Sequence, residues 1–360
     1  MPPAAVRLGS KHQLITARSN DTDLLATRLW SQRLAGEPAA DPVEATRALL
    51  AIQAQDPRAA RLAVRARTCD GHASDVDRAL SVDRSLVITW VNRGTLHLIA
   101  SEDEPLLHAL TTPQLRTTSE RRLAQEGVTP AAARRGIAAI VKTLGDDGPM
   151  TRSQIRAVLE RARVPTAGQA VAHVLLRATI DGLLVRGPRI GDDHAFVLVA
   201  DWLGERPKLD RRRALAELAR RYLAGHAPAD DRDLARWARV TLREARAGLE
   251  AIAAELHERP GGLLQLRGQQ TGPLPPPRLL GPFDPLLLGW YSRAFVVDDP
   301  PEVVTTNGII RAIALVHGRA AGTWNIRGGR VELSLWAQPG AATAAALRSE
   351  AVAVEAYLTT

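Results

Sequence analysis

Two neutral amides two residues apart, Gln53 and Gln55, are the side chains best suited to chemistry in this sequence. A glutamine carries two N–H donors and one carbonyl acceptor on a single carboxamide, so two that converge can hold and orient one water molecule. That equipment suits a hydrolysis whose leaving group departs without a strong acid. The pair lies in Leu49-Leu50-Ala51-Ile52-Gln53-Ala54-Gln55-Asp56-Pro57. Upstream, Asp41-Pro42-Val43-Glu44 reads as an N-cap, a proline at the first helical position and a reciprocal acid. Leu49, Leu50 and Ile52 continue the apolar stripe of the helix this opens, which the spacing predicts over 42–54. A residue before proline is pushed out of the α region, so Asp56 breaks the helix and Pro57 starts the next. Residues two apart on one helix diverge; at a broken helix end they can converge. Taken alone, amides that cap a helix or face solvent are the plainer reading.

Other chemistries lack their residues. The nine histidines are scattered, with no pair at zinc spacing. There is no phosphate-cradling glycine loop and no serine elbow. The acid pairs Asp146-Asp147, Asp192-Asp193 and Asp298-Asp299 fall in predicted turns and read as solvated. No metal ligand set and no cofactor are expected. A net charge of +8 and a pI near 10.5 fit a polyanionic partner. Arginine supplies nearly all of that charge, lysine occurring only at Lys11, Lys142 and Lys208, a bias that a GC-rich genome also produces. The single cysteine, Cys69, excludes an internal disulfide and fits a reducing cytosol. No apolar run approaches the ~18 residues of a membrane span, and the N-terminus has no apolar signal core. A cytoplasmic, monomeric protein is expected.

The elements that must position the glutamines repeat a pattern of helices followed by paired strands. A basic tail, 1–20, precedes segment 21–125, with helices near 23–35, 42–54, 57–67 and 75–81 and a hairpin of Ser85–Val91 and Thr95–Ala100. Segment 126–207 opens a helix with the capping box Thr151-Arg152-Ser153-Gln154 and ends in strands Leu183–Arg186 and Ala195–Val199. Segment 208–272 repeats the scheme, with a second capping box at Thr241–Glu244. After the linker Gly272–Pro277, residues 278–360 alternate like short strands separated by glycine turns, then end in an alanine-rich helix. The fold expected is α+β: three tandem winged helices followed by a small C-terminal β-barrel.

Gln53-Ala54-Gln55 also resembles the glutamine–hydrophobic–glutamine motif of the AlkZ/YcaQ family of bacterial DNA glycosylases. Trp90-Val91-Asn92-Arg93-Gly94-Thr95-Leu96-His97-Leu98 is similar to that family's Arg-Gly-Thr-x-His strand. Gly281-Pro282-Phe283-Asp284-Pro285-Leu286-Leu287, Asn307-Gly308 and Gly322-Thr323-Trp324 match further on. The resemblance runs from about residue 22 to 336. One branch of the family carries Asp in place of the second glutamine, so Gln55 places this sequence with the AlkZ-like branch. The same order of three winged helices and a barrel is what the resemblance implies.

It further implies double-stranded DNA as partner and a metal-independent, monofunctional glycosylase acting on guanine alkylated at N7, including bulky adducts and crosslinks, in repair or self-protection. Such a base is cationic before it leaves, and the transition state resembles an oxocarbenium ion. Gln53 is expected to hold the attacking water and Gln55 to assist it or contact the sugar–phosphate. Arg58 and Arg61, just past the motif, are candidate phosphate clamps. Arg93 is a candidate DNA contact, while Thr95 and His97 share a strand face and are expected to orient the glutamines. His317 and Arg319 are expected at a basic hairpin tip that enters a DNA groove. Trp90 and Trp324 read as core rather than as a base-stacking cage. The competing reading is a winged-helix transcriptional regulator, usually a dimer on two half-sites.

Overall fold

The computed structural model describes residues 22–191, 193–297 and 303–359. The basic segment 1–20, Asp192 and Asp298-Asp299 lie outside the described residues. A helix over 22–31 (α1) is followed by α2 (Pro42–Leu49), strand β1 (Ile52–Gln53), α3 (Pro57–Arg65), α4 (Ala73–Ser81), β2 (Leu86–Val91) and β3 (Thr95–Ala100). Helices α5 (Glu104–Thr111) and α6 (Arg116–Gln125) lead to α7 (Pro130–Asp147), α8 (Arg152–Arg161), α9 (Ala170–Ile180), β4 (Leu184–Ile190) and β5 (Asp193–Leu198). After α10 (Val199–Trp202) come α11 (Arg211–His226), α12 (Asp231–Ala238), α13 (Leu242–Ala251), β6 (Leu256–Arg259) and β7 (Leu263–Leu266). The chain ends in β8 (Arg278–Leu280), β9 (Ile313–Val316), β10 (Arg319–Arg327), β11 (Arg330–Leu335) and α14 (Ala341–Thr359).

The capping signals act as the sequence predicts. The hydroxyls of Thr151 and Thr241 accept the N–H of Gln154 and Glu244, whose side chains accept the threonine N–H in return. Helices followed by a hairpin recur three times, but the first two hairpins share one sheet. Its order is β1-β3-β2-β4-β5, antiparallel throughout, with Ile88 of β2 facing Arg186 of β4. Strand alternation splits the side chains between two cores. Leu86, Ile88, Trp90, Leu98 and Phe196 pack with α7, α8 and α9. Val87, Val91, Ile99 and Val185 face the third segment, joining Leu218, Tyr222 and Trp237. Trp90 stacks on Phe196, and the buried Trp324 donates its indole N–H to Leu280 O, so both tryptophans are core.

The expected barrel is not found. Among the described residues the C-terminal strands form an open four-stranded sheet, β11-β10-β9-β8. Closure would bury one face of the sheet; here α14 does that instead. Leu347 and Val354 of α14 pack with Leu279, Ala314, Trp324 and Leu62 of α3. Glu350 accepts the Leu279 N–H and pairs with Arg65 at the end of α3. Gly322 suits the closest strand approach: a Cβ there would lie 2.4 Å from Ser334 O. No helix among the described residues is long and apolar enough to cross a membrane.

Candidate active site

Helix α2 stops at Leu49, short of the predicted end. Leu50 takes φ +62°, left-handed for a residue with no glycine-like freedom, and its side chain is fully buried. The chain turns there and runs extended. Ile52 pairs with Leu98 and Gln53 with His97, and Ala54 N–H donates to Leu96 O at 2.7 Å. Asp56 then caps α3, its Oδ1 accepting the N–H groups of Arg58 and Ala59, with Pro57 at the first helical position as predicted. The glutamines therefore lie on a short strand and the bend that follows it, not at a broken helix end. Ile52 and Ala54 enter the apolar core, the two-residue period of extended chain turns Gln53 between them away from it, and Gln55 follows in a bend.

Each carboxamide is held by the hairpin beside it. Arg93, in the β2–β3 turn, donates from a terminal nitrogen to Gln53 Oε1 at 3.5 Å. The N–H of Leu96 donates to Gln55 Oε1 at 3.3 Å. Gln53 is buried and Gln55 exposed. His97 lies cross-strand from Gln53 on one side and from Thr89 on the other. Its Nδ1 meets Thr95 O at 2.9 Å, so Nδ1 carries the proton and Nε2 is the acceptor. Burial, then the Arg93 charge, depresses His97 to about 3. A neutral, fixed imidazole thus stands behind Gln53. Thr95 shares the His97 face, as predicted, and the side-chain oxygens of Thr89, Asn92 and Thr95 around it have no protein partner.

The remaining predicted residues separate. Arg58 is exposed at the start of α3 and lines a cavity of about 500 Å³ with Trp324, Asn325 and Ile309. Arg61 is buried: its guanidinium pairs with Asp77 of α4 and lies 3.3 Å from His194 Nε2, so it is spent inside the protein and not available to clamp phosphate. The expected groove-entering tip is also folded down. His317 is exposed in the β9–β10 turn, but Gly318 beside it packs against Leu25 and Leu29 of α1, and Arg319 donates to the Phe295 and Ala294 carbonyls. Sequence reasoning misses a further group. Arg236 of α12 and Arg293 both act on Arg93 by charge repulsion, and Arg236 lies over the ring of Tyr291. These come from distant parts of the chain and match no short motif.

Three buried histidines carry a stability signature. His97, His194 and His226 are held at about 3, about 4 and about 3, in each case first by burial. In the unfolded chain each takes up a proton near pH ~6.5. The folded values lie below that, so neutral burial is unpenalised above pH ~6.5 and destabilises as pH falls toward the folded values. The loss is up to about 1.4 kcal/mol per pH unit per histidine. The thermal midpoint at pH 5 is expected well below that at pH 7, with His97→Gln removing roughly a third of the difference. A midpoint independent of pH across this range would contradict neutral burial.

Comparison with known proteins bears on the whole of this arrangement. The DNA glycosylase AlkZ-like family model matches residues 46–357, a span that includes both glutamines. The chain is 29% identical over 305 residues to the interstrand DNA cross-link repair glycosylase of Streptomyces sahachiroi, covering 77% of this chain and 80% of that protein. The solved structure of Streptomyces sahachiroi DNA glycosylase AlkZ superposes with a TM-score of 0.75 over 93% of this chain and 96% of that one, at 24% identity, a likeness of fold. The family match spans nearly the whole described structure, from α2 to α14, and on it the chain belongs to the AlkZ-like DNA glycosylase family.

Proposed function

We propose that this protein is a monofunctional DNA glycosylase that hydrolyses the N-glycosidic bond of guanine alkylated at N7 in duplex DNA, with bulky adducts and interstrand crosslinks among its substrates. The observation that carries this reading is the pair Gln53 and Gln55: two neutral amides, one ending strand β1 and one in the bend after it, both bonded to the β2–β3 hairpin, with a neutral imidazole cross-strand and Arg93 on Gln53. Such a pair positions water and supplies carbonyl dipoles, and the carboxylate next to it, Asp56, is engaged in capping α3. It therefore fits a base that is already cationic. Water attacks C1′ as the C1′–N9 bond breaks, the bond's electron pair neutralises the charge on the departing base, and the proton the attacking water loses passes to bulk solvent. Gln53 Oε1 accepts a water O–H and lies near the developing sugar cation, while the Gln55 NH2 group holds the water or the adjoining sugar–phosphate. Positioning of this kind is worth up to about 7 kcal/mol or more, enough without a general base.

The name of the Streptomyces sahachiroi relative, an interstrand DNA cross-link repair glycosylase, supports the crosslink part of the proposal. A lyase step needs an amine. Lys142 is exposed and paired with Asp146, and Lys208 lines a separate cavity beside Asp103 and Arg221, so neither is assigned to the site. No metal is assigned a step, and the chain is taken to act as a monomer on DNA in the cytoplasm. Arg58 and Arg93 are the phosphate contacts retained from the sequence.

The test is release of free base from duplex DNA containing N7-methylguanine with EDTA present, detected by mass spectrometry. Wild type is expected to release the base, and Gln53→Ala/Gln55→Ala is not. Release from neither protein on methylated or crosslinked duplex, despite tight binding, would remove the enzyme reading in favour of a DNA-binding role.

A further inference from the structure

Beside the glutamine face is a group of cations that pair with no carboxylate among the described residues. Arg93 stands at Gln53, and its turn is tied to the end of α12: Asn92 N–H donates to Thr111 Oγ1, Gly94 packs against Leu115, and Gln114 Nε2 donates to Arg239 O, one turn beyond Arg236, whose guanidinium lies over Tyr291, two residues before Arg293. None of the three forms an ion pair with a described carboxylate, although many surface arginines of this protein do. The carboxylate three residues before Arg236, Asp233, is buried and spent on the N–H groups of Tyr291 and Asp230. Arg293 is held by its Nε–H on Leu287 O at 2.6 Å, which fixes the fork and leaves both terminal nitrogens unspent. Like charges gathered with no counter-charge among the described residues favour an anion that completes the group.

The same place carries an aromatic face. Tyr291 is 64% exposed, unusual in a chain with three tyrosines, of which the other two are buried. Its backbone is anchored from the N-terminal side: its N–H donates to Asp233 Oδ1 at 2.7 Å, and the preceding Trp290 is buried with its indole N–H on Pro228 O. One side of the ring is taken by the Arg236 guanidinium, 4.7 Å from the centroid. A ring held out rigidly at the mouth of a cationic group is the equipment for a nucleotide: phosphate to the arginines and base to the ring.

We propose that Arg93, Arg236 and Arg293 form the receptor for one backbone phosphodiester next to the lesion, and that Tyr291 stacks on a nucleobase of the same strand. This rests on the glycosylase reading for its placement, since it sets the scissile sugar against the water held by Gln53, but phosphate binding itself needs no chemistry.

The test is therefore made on undamaged duplex, by fluorescence anisotropy over a series of salt concentrations, with wild type, Arg236→Gln, Arg236→Gln/Arg293→Gln, Tyr291→Ala and Tyr291→Phe. Arg236 and Tyr291 are exposed, so their variants are expected to keep the wild-type thermal midpoint. In the double variant one phosphate is no longer neutralised, and the slope of log affinity on log salt is expected to fall by about 0.9. Tyr291→Ala is expected to weaken binding about tenfold with the salt slope unchanged, and Tyr291→Phe to restore it. An unchanged slope in the double variant would overturn the phosphate receptor, whatever the wild type does to alkylated DNA. Unchanged affinity in Tyr291→Ala would overturn the stacking assignment. A wild type that releases no base, yet shows the expected slope change, would separate failure of the glycosylase reading from failure of this one.

Discussion

Gln53→Ala is expected to lower the single-turnover rate of base release by about 10²-fold or more while leaving duplex affinity and the thermal midpoint near wild type. The side chain is buried but lies on a two-residue edge strand, and its one side-chain hydrogen bond is a 3.5 Å contact from Arg93. Little folding energy is at stake, so a loss of activity reports the site. A 10²-fold loss corresponds to about 2.7 kcal/mol of transition-state stabilisation. Gln53→Asn sharpens the point. It keeps the carboxamide but draws it back by one methylene, on the order of 1.5 Å, and a displacement near 1 Å costs about 10²-fold where positioning is the mechanism. Asn is thus expected to perform like Ala, not like Gln. Full activity in Gln53→Ala would remove the water-positioning role altogether; full activity in Gln53→Asn would show that the amide's presence, and not its place, is what counts.

Asp284→Ala is expected to be the most destabilising single change in the chain. Arg67 and Asp284 are both fully buried and joined by two hydrogen bonds, at 2.8 and 2.9 Å. The other Arg67 donors are satisfied by Gln32 O, Ala63 O and Gln32 Oε1, and Asp284 Oδ1 also accepts the Leu286 N–H. Removing the carboxylate leaves an uncompensated guanidinium in the interior, a loss of about 3–5 kcal/mol. For a protein of this size that is a fall in thermal midpoint on the order of 10 °C. The Arg67→Met/Asp284→Leu double variant removes both charges and is expected to recover much of the loss, because the pair's own attraction is largely offset by its desolvation. A double variant no better than Asp284→Ala would mean that the fork geometry, not the stranded charge, is what the fold needs.

This pair also shows where the sequence can be read and where it cannot. Phe283-Asp284 stands out as part of a resemblance, yet its partner lies 217 residues away, so nothing local shows that it anchors the end of α3. Caps are local and legible: Asp41 and Asp56 at their prolines, Thr151 and Thr241 at their boxes. The glutamines are legible as chemistry, but their spacing puts them on a helix end where the structure has a strand. The apolar stripe of Leu49, Leu50 and Ile52 continues the helical period, and the left-handed turn at Leu50 uses neither glycine nor asparagine, the residues that advertise one. Arg61 looks free in the sequence because Asp77 and His194 reach it from other elements. The barrel follows from the strands alone, and the alanine-rich α14, with a weak apolar stripe, gives no notice that it covers the sheet. Arg236, Arg293 and Tyr291 carry no spacing signal and become a group only in three dimensions.

The sheet that runs from β1 to β5 has a mechanical consequence. The strand behind Gln53 is laddered through β2 to the hairpin of the second segment, and one apolar core lies across both. Hinging the two segments apart would break the Ile88–Arg186 pairing and divide that core, so on the proposed function the work of fitting falls on the duplex. Among equal lesions, those in easily kinked steps should then be engaged first, and a crosslink that stiffens its surroundings should be met more slowly than one that leaves a flexible joint beside it.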